Sequence, residues 1–200
     1  MFFIKYFMAN QKVIIGVVVA IIVMGGFFIF SGNSNSSTSV SDSGDSGVGV
    51  PNLNSVIPSD WINTELKDVN SGETFKISDF SDKPVLLESF AVWCPTCTKQ
   101  QKTTKKFEEE VGDSVISISI DTDSNEDEAI VRAHTQANGF TWRYAIAPVE
   151  MTQALIDQFG VSIINAPSVP MVLICNGNAY ELPSGVKSVE ELKSFIRICS

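Results

Sequence analysis

Histidine and cysteine are scarce in this chain of 200 residues, which has one histidine and four cysteines. A structural zinc site needs four Cys or His ligands, usually arranged as two closely spaced pairs. Cys94 and Cys97 form one such pair, whereas Cys175 and Cys199 are not a second one, and His134 has no partner histidine. The sequence therefore disfavours a zinc site, and we expect neither a bound metal nor another cofactor.

Basic residues are also in deficit: 14 Lys and Arg stand against 23 Asp and Glu, giving a net charge of −9. Two lysines and two aspartates cancel within the first 50 residues, so the whole excess belongs to Pro51–Ser200. A negative domain repels phosphate groups. This disfavours nucleic acids and anionic lipid surfaces as its partners.

Charged residues are absent from Val13–Phe30. At about 1.5 Å per residue, a helix of this length spans about 27 Å, close to the hydrocarbon thickness of a bilayer. A cleavable signal peptide is the alternative, but its apolar region is usually shorter and no Ala-x-Ala site follows Phe30. We therefore predict a transmembrane signal anchor at 13–30.

The distribution of lysine predicts the orientation of this anchor. Lys5 and Lys12 precede it, whereas residues 31–50 contain no Lys or Arg. By the positive-inside rule, residues 1–12 lie in the cytoplasm and the rest of a single-pass cell-membrane protein lies outside. Residues 31–50 are rich in Ser and Gly and predict a flexible linker, which leaves one ordinary domain at 51–200.

Strand and helix patterns alternate along residues 51–200 and predict an α/β domain. It opens with a β-hairpin within 61–80, turning at Asn70–Gly72, and continues with a short apolar central strand at 85–91 and a helix at 94–111. The next elements are a strand at 115–120, a helix N-capped by Ser124 that ends near 137, and a strand or extended segment at 141–146. A helix at 149–159 and a hairpin at 171–182 follow. The last helix, at 189–198, begins at a Ser188-x-x-Glu191 capping box.

The segment Trp93-Cys94-Pro95-Thr96-Cys97 lies where the central strand meets the following helix. Two intervening residues bring both sulfurs onto one turn, so Cys94 and Cys97 can close a disulfide. Cys94 at the N-cap faces the orphan N–H groups and the positive end of the helix dipole, while Pro95 at the first helical position loses no hydrogen bond. These features favour a thiolate at Cys94.

The two cysteines are predicted to have different roles in disulfide exchange. Cys94, as the more exposed thiol, is the expected nucleophile, which attacks a substrate disulfide to form a mixed disulfide. Cys97, one turn into the helix, is expected to be the buried thiol that resolves this intermediate. The sequence thus predicts a redox-active pair.

The run from Pro84 to Cys97 resembles the active-site segment of the thioredoxin-like family, particularly its membrane-anchored, extracytoplasmic TlpA/ResA branch. The resemblance implies a three-layer sandwich, in which helices flank a central mixed sheet after an N-terminal β-hairpin. It also implies that Trp93 shields the active-site surface and that Pro95 and Thr96 help to contact the substrate. Protein thiols or disulfides outside the membrane, and a membrane or soluble redox partner, would then be the reactants.

Glu88 interrupts the apolar central strand six residues before Cys94. By strand alternation it shares a face with Leu86 and Phe90. This face lies beneath the helix that begins at Cys94, which we call the redox helix. Thioredoxins carry an acid at the matching position, where it relays the proton of the resolving thiol, so we predict a catalytic role for Glu88. The alternative is a strand twist that turns Glu88 to the surface.

Thioredoxin-like proteins also place a cis-proline beside the disulfide. Pro167 and Pro170 are both candidates, and the short run between Pro170 and the Asn176-Gly177 turn favours Pro170. The resemblance then makes Val169 the residue whose backbone groups pair with an extended substrate.

The remaining cysteines and the histidine allow plainer interpretations. Cys175 and Cys199 either form a structural disulfide or are a buried apolar residue and a free terminal thiol, and we favour the second. His134 is predicted to be a solvent-exposed helix residue.

Together these features predict a membrane-anchored, extracytoplasmic thiol–disulfide oxidoreductase that more readily reduces or isomerises protein disulfides than forms them. Thiol peroxidases need a Pro-x-x-x-Thr-x-x-Cys setting that is missing before Cys94. The alternatives are a copper metallochaperone resembling Sco proteins, which use Cys-x-x-x-Cys with a distant histidine, and a non-catalytic thioredoxin-fold binding module.

Overall fold

The computed structural model describes residues 53–200. The predicted cytoplasmic segment at 1–12, transmembrane anchor at 13–30 and linker at 31–50 lie outside these residues. Eight strands are β1 (Ser55–Val56), β2 (Leu66–Lys67), β3 (Thr74–Phe75), β4 (Val85–Phe90), β5 (Ile116–Asp121), β6 (Arg143–Ile146), β7 (Met171–Cys175) and β8 (Asn178–Glu181). Four α-helices are α1 (Pro95–Val111), α2 (Glu128–Asn138), α3 (Val149–Phe159) and α4 (Val189–Ile196).

Six of the strands form one mixed sheet in the order β1-β8-β7-β4-β5-β6. β4 lies at its centre, parallel to β5 on one side and antiparallel to β7 on the other. All six residues of β4 are buried, as expected for a strand covered on both faces. The carboxyl end of this strand is therefore held firmly where the redox helix begins.

Helices cover both faces of the sheet. On one face Val85 and Leu87 of β4 pack in a cluster with Met151 and Leu155 of α3. On the other face Leu86 packs with side chains of α1 and α4, including Phe107 and Leu192. Alternate side chains of β4 therefore pack into two separate hydrophobic cores, one on each face of the sheet. The three-layer α/β sandwich is confirmed.

The N-terminal hairpin is confirmed as a separate two-stranded sheet. Leu66 pairs with Phe75, and Lys67 with Thr74. The turn is tied by Asp68, whose carboxylate accepts hydrogen bonds from the backbone and hydroxyl of Ser71. The other carboxylate oxygen of Asp68 accepts from the Tyr144 amide at 3.1 Å, which fastens the hairpin to β6.

Most helix ends follow their sequence signals, with one exception. The capping box of Ser188 and Glu191 forms at the start of α4. The predicted cap at Ser124 is wrong: α2 begins after Asp127, whose side chain accepts from the Ile130 amide at 2.9 Å. An aspartate in extended backbone just before a helix satisfies an orphan N–H as well as a serine does.

The C-terminal cysteines differ from the favoured expectation. Cys175, the last residue of β7, forms a disulfide with Cys199. Since β8 and α4 lie between them and Cys199 closely follows α4, this bond ties the last helix to the sheet. The interpretation of Cys199 as a free thiol is wrong.

Within residues 53–200, none of the helices has both the length and the apolar character needed to span a bilayer.

Candidate functional site

The redox pair lies at the carboxyl end of β4, where the chain turns into α1. Cys94 is the N-cap of α1, in extended backbone, and Pro95 takes the first helical position. The Cys94 sulfur accepts a hydrogen bond from the Cys97 amide at 3.1 Å. This is the N-cap geometry predicted from the sequence, and the structure holds the two cysteines as a disulfide.

Both sulfurs are covered, contrary to the expectation of an exposed Cys94. Cys94 and Cys97 are each 0% exposed. The hydroxyl of Thr96 lies 3.2 Å from the Cys94 sulfur and donates to the carbonyl of Pro167 at 3.1 Å. This contact ties the turn at 166–168 to the first turn of the redox helix, beside Cys94.

The loop at 166–170 differs from the expected cis-proline arrangement. No cis peptide bond occurs in the described part of the chain, so the bond before Pro170 is trans. Val169 is buried in a left-handed conformation with φ 52°, which is strained for a β-branched residue. Its N–H donates to Ala166 and its carbonyl accepts from Lys187. Because its N–H is used internally and its carbonyl already accepts one hydrogen bond, Val169 has no free N–H for a substrate here.

The backbone carbonyls of Ala166 and Pro167 lie against the first turn of the redox helix. The Cys97 sulfur lies 3.1 Å from the Ala166 carbonyl oxygen, and the Pro167 carbonyl accepts the Thr96 hydrogen bond described above. Pro167 is exposed, whereas Pro170 is buried. The structure thus brings a proline turn to the redox pair, but through the first of the two candidate prolines.

Glu88 is buried under the redox helix, so the alternative of a surface position is wrong. Its side chain is 2% exposed. One carboxylate oxygen accepts from the Ser119 hydroxyl at 3.1 Å, and the other has no hydrogen-bond partner. Burial raises the pKa of Glu88 to about 8, although the Ser119 hydroxyl, the charge of Lys187 and the Gln101 amide each lower it. At neutral pH this carboxyl group is mostly protonated.

Lys187 is a second buried ionisable group, which the sequence did not indicate. It is 3% exposed, and its ammonium group donates to the Val169 carbonyl at 2.7 Å. Burial lowers the pKa of Lys187 to about 8, against the attraction of Glu88 and Glu191. It is not in direct ion-pair contact with Glu88 among the described residues, so the two interact through space.

Carboxylates also hold the loop immediately before Cys94. Glu126 accepts from the amides of Val92 and Trp93 at 2.7 and 3.3 Å. The Trp93 indole N–H donates to Asp123 at 2.7 Å, while the ring remains 58% exposed. The fixed orientation of this exposed aromatic ring agrees with its expected position at the active-site surface.

Asp121 lies beneath this loop, at the carboxyl end of β5 and paired in register with Phe90. It is fully buried; one oxygen accepts from the Asp123 amide at 2.8 Å and the other is unpartnered. Burial raises the pKa of Asp121 to about 8, and the neighbouring Glu126 and Asp123 raise it further. Parallel β4 and β5 end at the same sheet edge, which brings these acids to the redox pair.

His134 is half-buried rather than solvent-exposed. Its ring stacks on Phe90 at 6.0 Å between centroids, and its Nε2 lies 2.7 Å from Oε1 of Gln101. Gln101 is fully buried on α1, one turn after Cys97. Burial lowers the pKa of His134, while the charge of Glu126 raises it.

A family model for Redoxin matches residues 46–174, more than half of the chain. The chain belongs to the Redoxin family. This membership, together with the Cys94–Cys97 disulfide at the head of α1, makes it a thioredoxin-like thiol–disulfide oxidoreductase. No curated protein matches its sequence.

Solved structures share this fold at low sequence identity. StoA from Bacillus subtilis is 18% identical, with a TM-score of 0.52 over 66% of this chain and 94% of its own. A DsbF homologue from Corynebacterium diphtheriae is 16% identical, with a TM-score of 0.55 over 68% and 83%. A secreted Mycobacterium tuberculosis disulfide oxidoreductase homologous to Escherichia coli DsbE is 15% identical, with a TM-score of 0.51 over 70% and 98%. These likenesses show the fold.

Proposed function

We propose that this protein is a membrane-anchored, outward-facing thiol–disulfide oxidoreductase that reduces or isomerises disulfides in protein substrates. The anchor and its orientation rest on the uncharged run at 13–30, on Lys5 and Lys12 before it, and on the absence of basic residues at 31–50. The direction of electron flow rests on the carboxylates around Cys94.

The observation that carries the reducing direction is the pair of hydrogen bonds from the Val92 and Trp93 amides to Glu126. They hold a carboxylate beside the residues that directly precede Cys94. A strong oxidant needs a highly stabilised thiolate, and a nearby negative charge disfavours one. The Cys97 amide and the helix N-terminus act in the opposite sense, so Glu126 offsets part of the stabilisation that they provide.

The reaction proceeds as two disulfide exchanges. The Cys94 thiolate attacks one sulfur of the substrate disulfide; that bond breaks, a Cys94–substrate disulfide forms, and the released sulfur takes up a proton. Cys97 then loses its proton and attacks the Cys94 sulfur, which releases the second substrate thiolate and closes the Cys94–Cys97 disulfide. Two electrons have passed to the substrate, and a thiol redox partner must return two to the enzyme.

Glu88 is proposed to accept the proton of Cys97. Its raised pKa of about 8 is close to the ordinary value for a cysteine thiol, about 8.5, so proton transfer between them is nearly balanced. In the disulfide the Cys97 sulfur carries no proton and lies 3.1 Å from the Ala166 carbonyl oxygen, so contact with Glu88 has to form in the reduced enzyme, directly or through a water molecule.

The test of direction is the reduction potential of the full chain in glutathione and dithiothreitol buffers. A value near roughly −270 mV, as in thioredoxin, supports a reductant, whereas one near roughly −120 mV marks an oxidant and refutes the proposal. Replacing Glu126 by Gln should make the potential more oxidising by roughly 10–30 mV, since about 30 mV is tenfold in the equilibrium constant. Glu128→Gln is the matched control, because Glu128 pairs with Lys67 instead of the redox loop.

The orientation in the membrane is tested separately, by protease treatment of cells that produce the full chain. Their cell wall is removed first, and their cell membrane stays unbroken. Digestion of the redox domain without lysis supports the outward orientation. Protection until the membrane is broken refutes it, whatever the potential is.

A further inference from the structure

Two consecutive hydrogen bonds join Trp142, Ser119 and Glu88 beneath the redox helix. Glu88 of β4 lies opposite Ser119 in the paired strand β5, and the Ser119 hydroxyl lies 3.1 Å from Oε2 of Glu88. The indole Nε1 of Trp142, which directly precedes β6, lies 3.0 Å from the same hydroxyl oxygen. All three side chains are buried, and Trp142 belongs to the same hydrophobic cluster as Cys97.

The chemistry of the indole fixes the direction of both hydrogen bonds. An indole N–H can only donate, so the Ser119 oxygen accepts from Trp142. The single hydroxyl proton of Ser119 is then left for its other partner, Oε2 of Glu88. It is not given to the Tyr144 hydroxyl, which has no hydrogen-bond partner within the described residues. Ser119 is therefore a donor to Glu88.

This direction makes the two oxygens of Glu88 different. Oε2 accepts from Ser119, whereas Oε1 is buried and has no hydrogen-bond partner within the described residues. A proton on Oε2 would meet the proton of Ser119 and would leave that hydroxyl without an acceptor, which is unfavourable for a buried group. When Glu88 is neutral, its proton is therefore on Oε1.

We propose that Trp142 and Ser119 are positioning residues, which reserve Oε2 of Glu88 as an acceptor and make Oε1 the atom that takes up and releases the proton. In the reaction, the S–H bond of Cys97 breaks, an O–H bond forms at Oε1, and the electron pair stays on the sulfur that attacks Cys94. This use of Oε1 rests on the function proposed above. The orientation of the carboxyl group does not, and it is measured on its own.

Other charged or titratable groups lie around Glu88. Lys187, from the loop before α4, attracts its ionised form. Tyr144 of β6 is a neutral phenol, because burial raises its pKa well above the ordinary value. On α1, Cys97 is held in the disulfide of the oxidised chain and does not titrate. These groups are unchanged in the variants below, so a difference between variants reports the two hydrogen bonds.

The first test is an NMR pH titration of the oxidised full chain in mild detergent, which follows the Glu88 carboxyl carbon and the Trp142 indole N–H together. Ionised Glu88 strengthens the hydrogen bond from Ser119, and linked hydrogen bonds polarise one another. The Trp142 signal should therefore shift with the same apparent pKa as Glu88. Trp61 is the internal control, because its buried indole donates to Gln158 and packs in a different hydrophobic cluster. Its signal should not follow Glu88.

The second test compares the pKa of Glu88 in matched variants. Ser119→Ala should raise it by about one unit, since the charged form loses a hydrogen bond, while Ser119→Thr keeps the hydroxyl and should titrate close to wild type. Trp142→Phe keeps the ring packing against Phe140 and Tyr144 but removes the N–H. It should raise the pKa about a third as much, because Ser119 becomes a weaker donor. The double variant should match Ser119→Ala alone.

Infrared spectra test which oxygen carries the proton. The C=O band of neutral Glu88 is identified in difference spectra taken below and above its pKa, by its absence in Glu88→Gln. If Oε2 is the carbonyl oxygen, Ser119→Ala removes its hydrogen bond and should move this band to higher wavenumber. A band that does not move shows that the proton is on Oε2 and overturns the assignment.

Three results of the titrations would also overturn the proposal. The first is a Trp142 signal that does not respond to Glu88 in the wild-type chain. The second is a folded Ser119→Ala or Trp142→Phe variant in which Glu88 titrates as in wild type. The third is a double variant that shifts further than Ser119→Ala, since Trp142 would then act by another route. Unfolding midpoints identify a variant that has lost its fold, and the wild-type indole titration decides without any substitution.

The kinetic consequence separates this inference from the proposed function. Cys97 attack is followed in the reduced full chain with an aromatic disulfide whose second thiolate release is coloured. Ser119→Ala should slow that release about five- to tenfold near neutral pH, as a shift of about one pKa unit implies, with the rate recovering at higher pH. If Glu88→Gln leaves the release unchanged, the relay role of Glu88 fails, while the titrations still decide how Trp142 and Ser119 orient the carboxyl group.

Discussion

The burial of Glu88 makes a specific prediction about how stability depends on pH. Its folded pKa is about 8, against 4.5 for an exposed glutamate. Between these two values the folded chain holds one proton more than the unfolded chain does. The free energy of unfolding therefore falls as pH rises through this window, and the loss is complete above about pH 8.

The magnitude follows from the size of the shift. One pKa unit is worth about 1.4 kcal/mol, so ionising Glu88 in the folded state costs on the order of 4 kcal/mol by about pH 8. Glu88→Gln removes the ionisation, and its amide oxygen can still accept from Ser119. The variant should match wild type near pH 5 and exceed it by on the order of 4 kcal/mol near pH 8.

The assay is urea unfolding of the oxidised full chain in mild detergent, followed by tryptophan fluorescence at several pH values. Asp121, whose pKa is also raised to about 8, titrates in the same window and is present in both proteins. The informative quantity is therefore the difference between variant and wild type at each pH. If the difference in free energy of unfolding between variant and wild type is the same at about pH 5 and about pH 8, Glu88 is not protonated in the folded chain and the inference is refuted.

Three further predictions test other parts of the site. Cys199→Ser, which opens the disulfide with Cys175 across a sequence separation of 24, should lower the free energy of unfolding by about 3 kcal/mol in thermal or urea unfolding, with the same loss on selective reduction. Thr96→Val removes the bond to the Pro167 carbonyl and should speed reduction of the Cys94 disulfide by a small thiol; an unchanged rate would show that this contact does not limit access. Lys187→Met removes the positive charge near Glu88 and should raise the pKa of that carboxyl group in an NMR titration, whereas a lower pKa would contradict the assignment.

Much of the fold was accessible from the sequence because its signals are local. The apolar run of β4, the glycines that end α1 and α3, and the capping box of α4 each depend on neighbours within a few residues. The inward position of Glu88 also followed, since alternation along a strand fixes which face a side chain takes. The redox pair needed only its spacing and its place at a helix start.

The rest of the site could not be predicted because its contacts are non-local. Lys187 directly precedes a helix cap, where a lysine is ordinarily exposed, and only tertiary packing turns it towards Val169. His134 lies on an amphipathic helix whose orientation the sequence did not specify. Asp121 did carry a usable signal: an acid at the end of the strand parallel to β4 comes to the same sheet edge as Cys94.

The loop at 166–170 could not be predicted for a different reason. The family resemblance that correctly placed the Cys94–Cys97 pair led to a wrong prediction for this loop. The spacing selected Pro170 and a cis bond, yet a trans bond is found and Pro167 is the proline at the redox helix. Val169 keeps a strained backbone, held by its bonds to Ala166 and Lys187. A short motif fixes the chemistry of Cys94, whereas the loop beside it depends on residues far away in sequence.

The structure separates what sets the direction of electron flow from what sets its rate. Two acids lie near the redox pair: Glu126 binds the amide of Val92, two residues before Cys94, and Glu88 is buried beneath the helix. Their charges change the relative stability of the thiol and thiolate forms, and hence the equilibrium with a redox partner. The Thr96–Pro167 contact carries no net charge, so we expect its loss to change exchange rates in both directions alike. Potentials should therefore respond to changes at Glu126 and remain unaffected by Thr96→Val, while rates respond to Thr96→Val. If Thr96→Val shifted the potential as strongly as Glu126→Gln does, the contact would be part of the electrostatic environment, and this separation would be wrong.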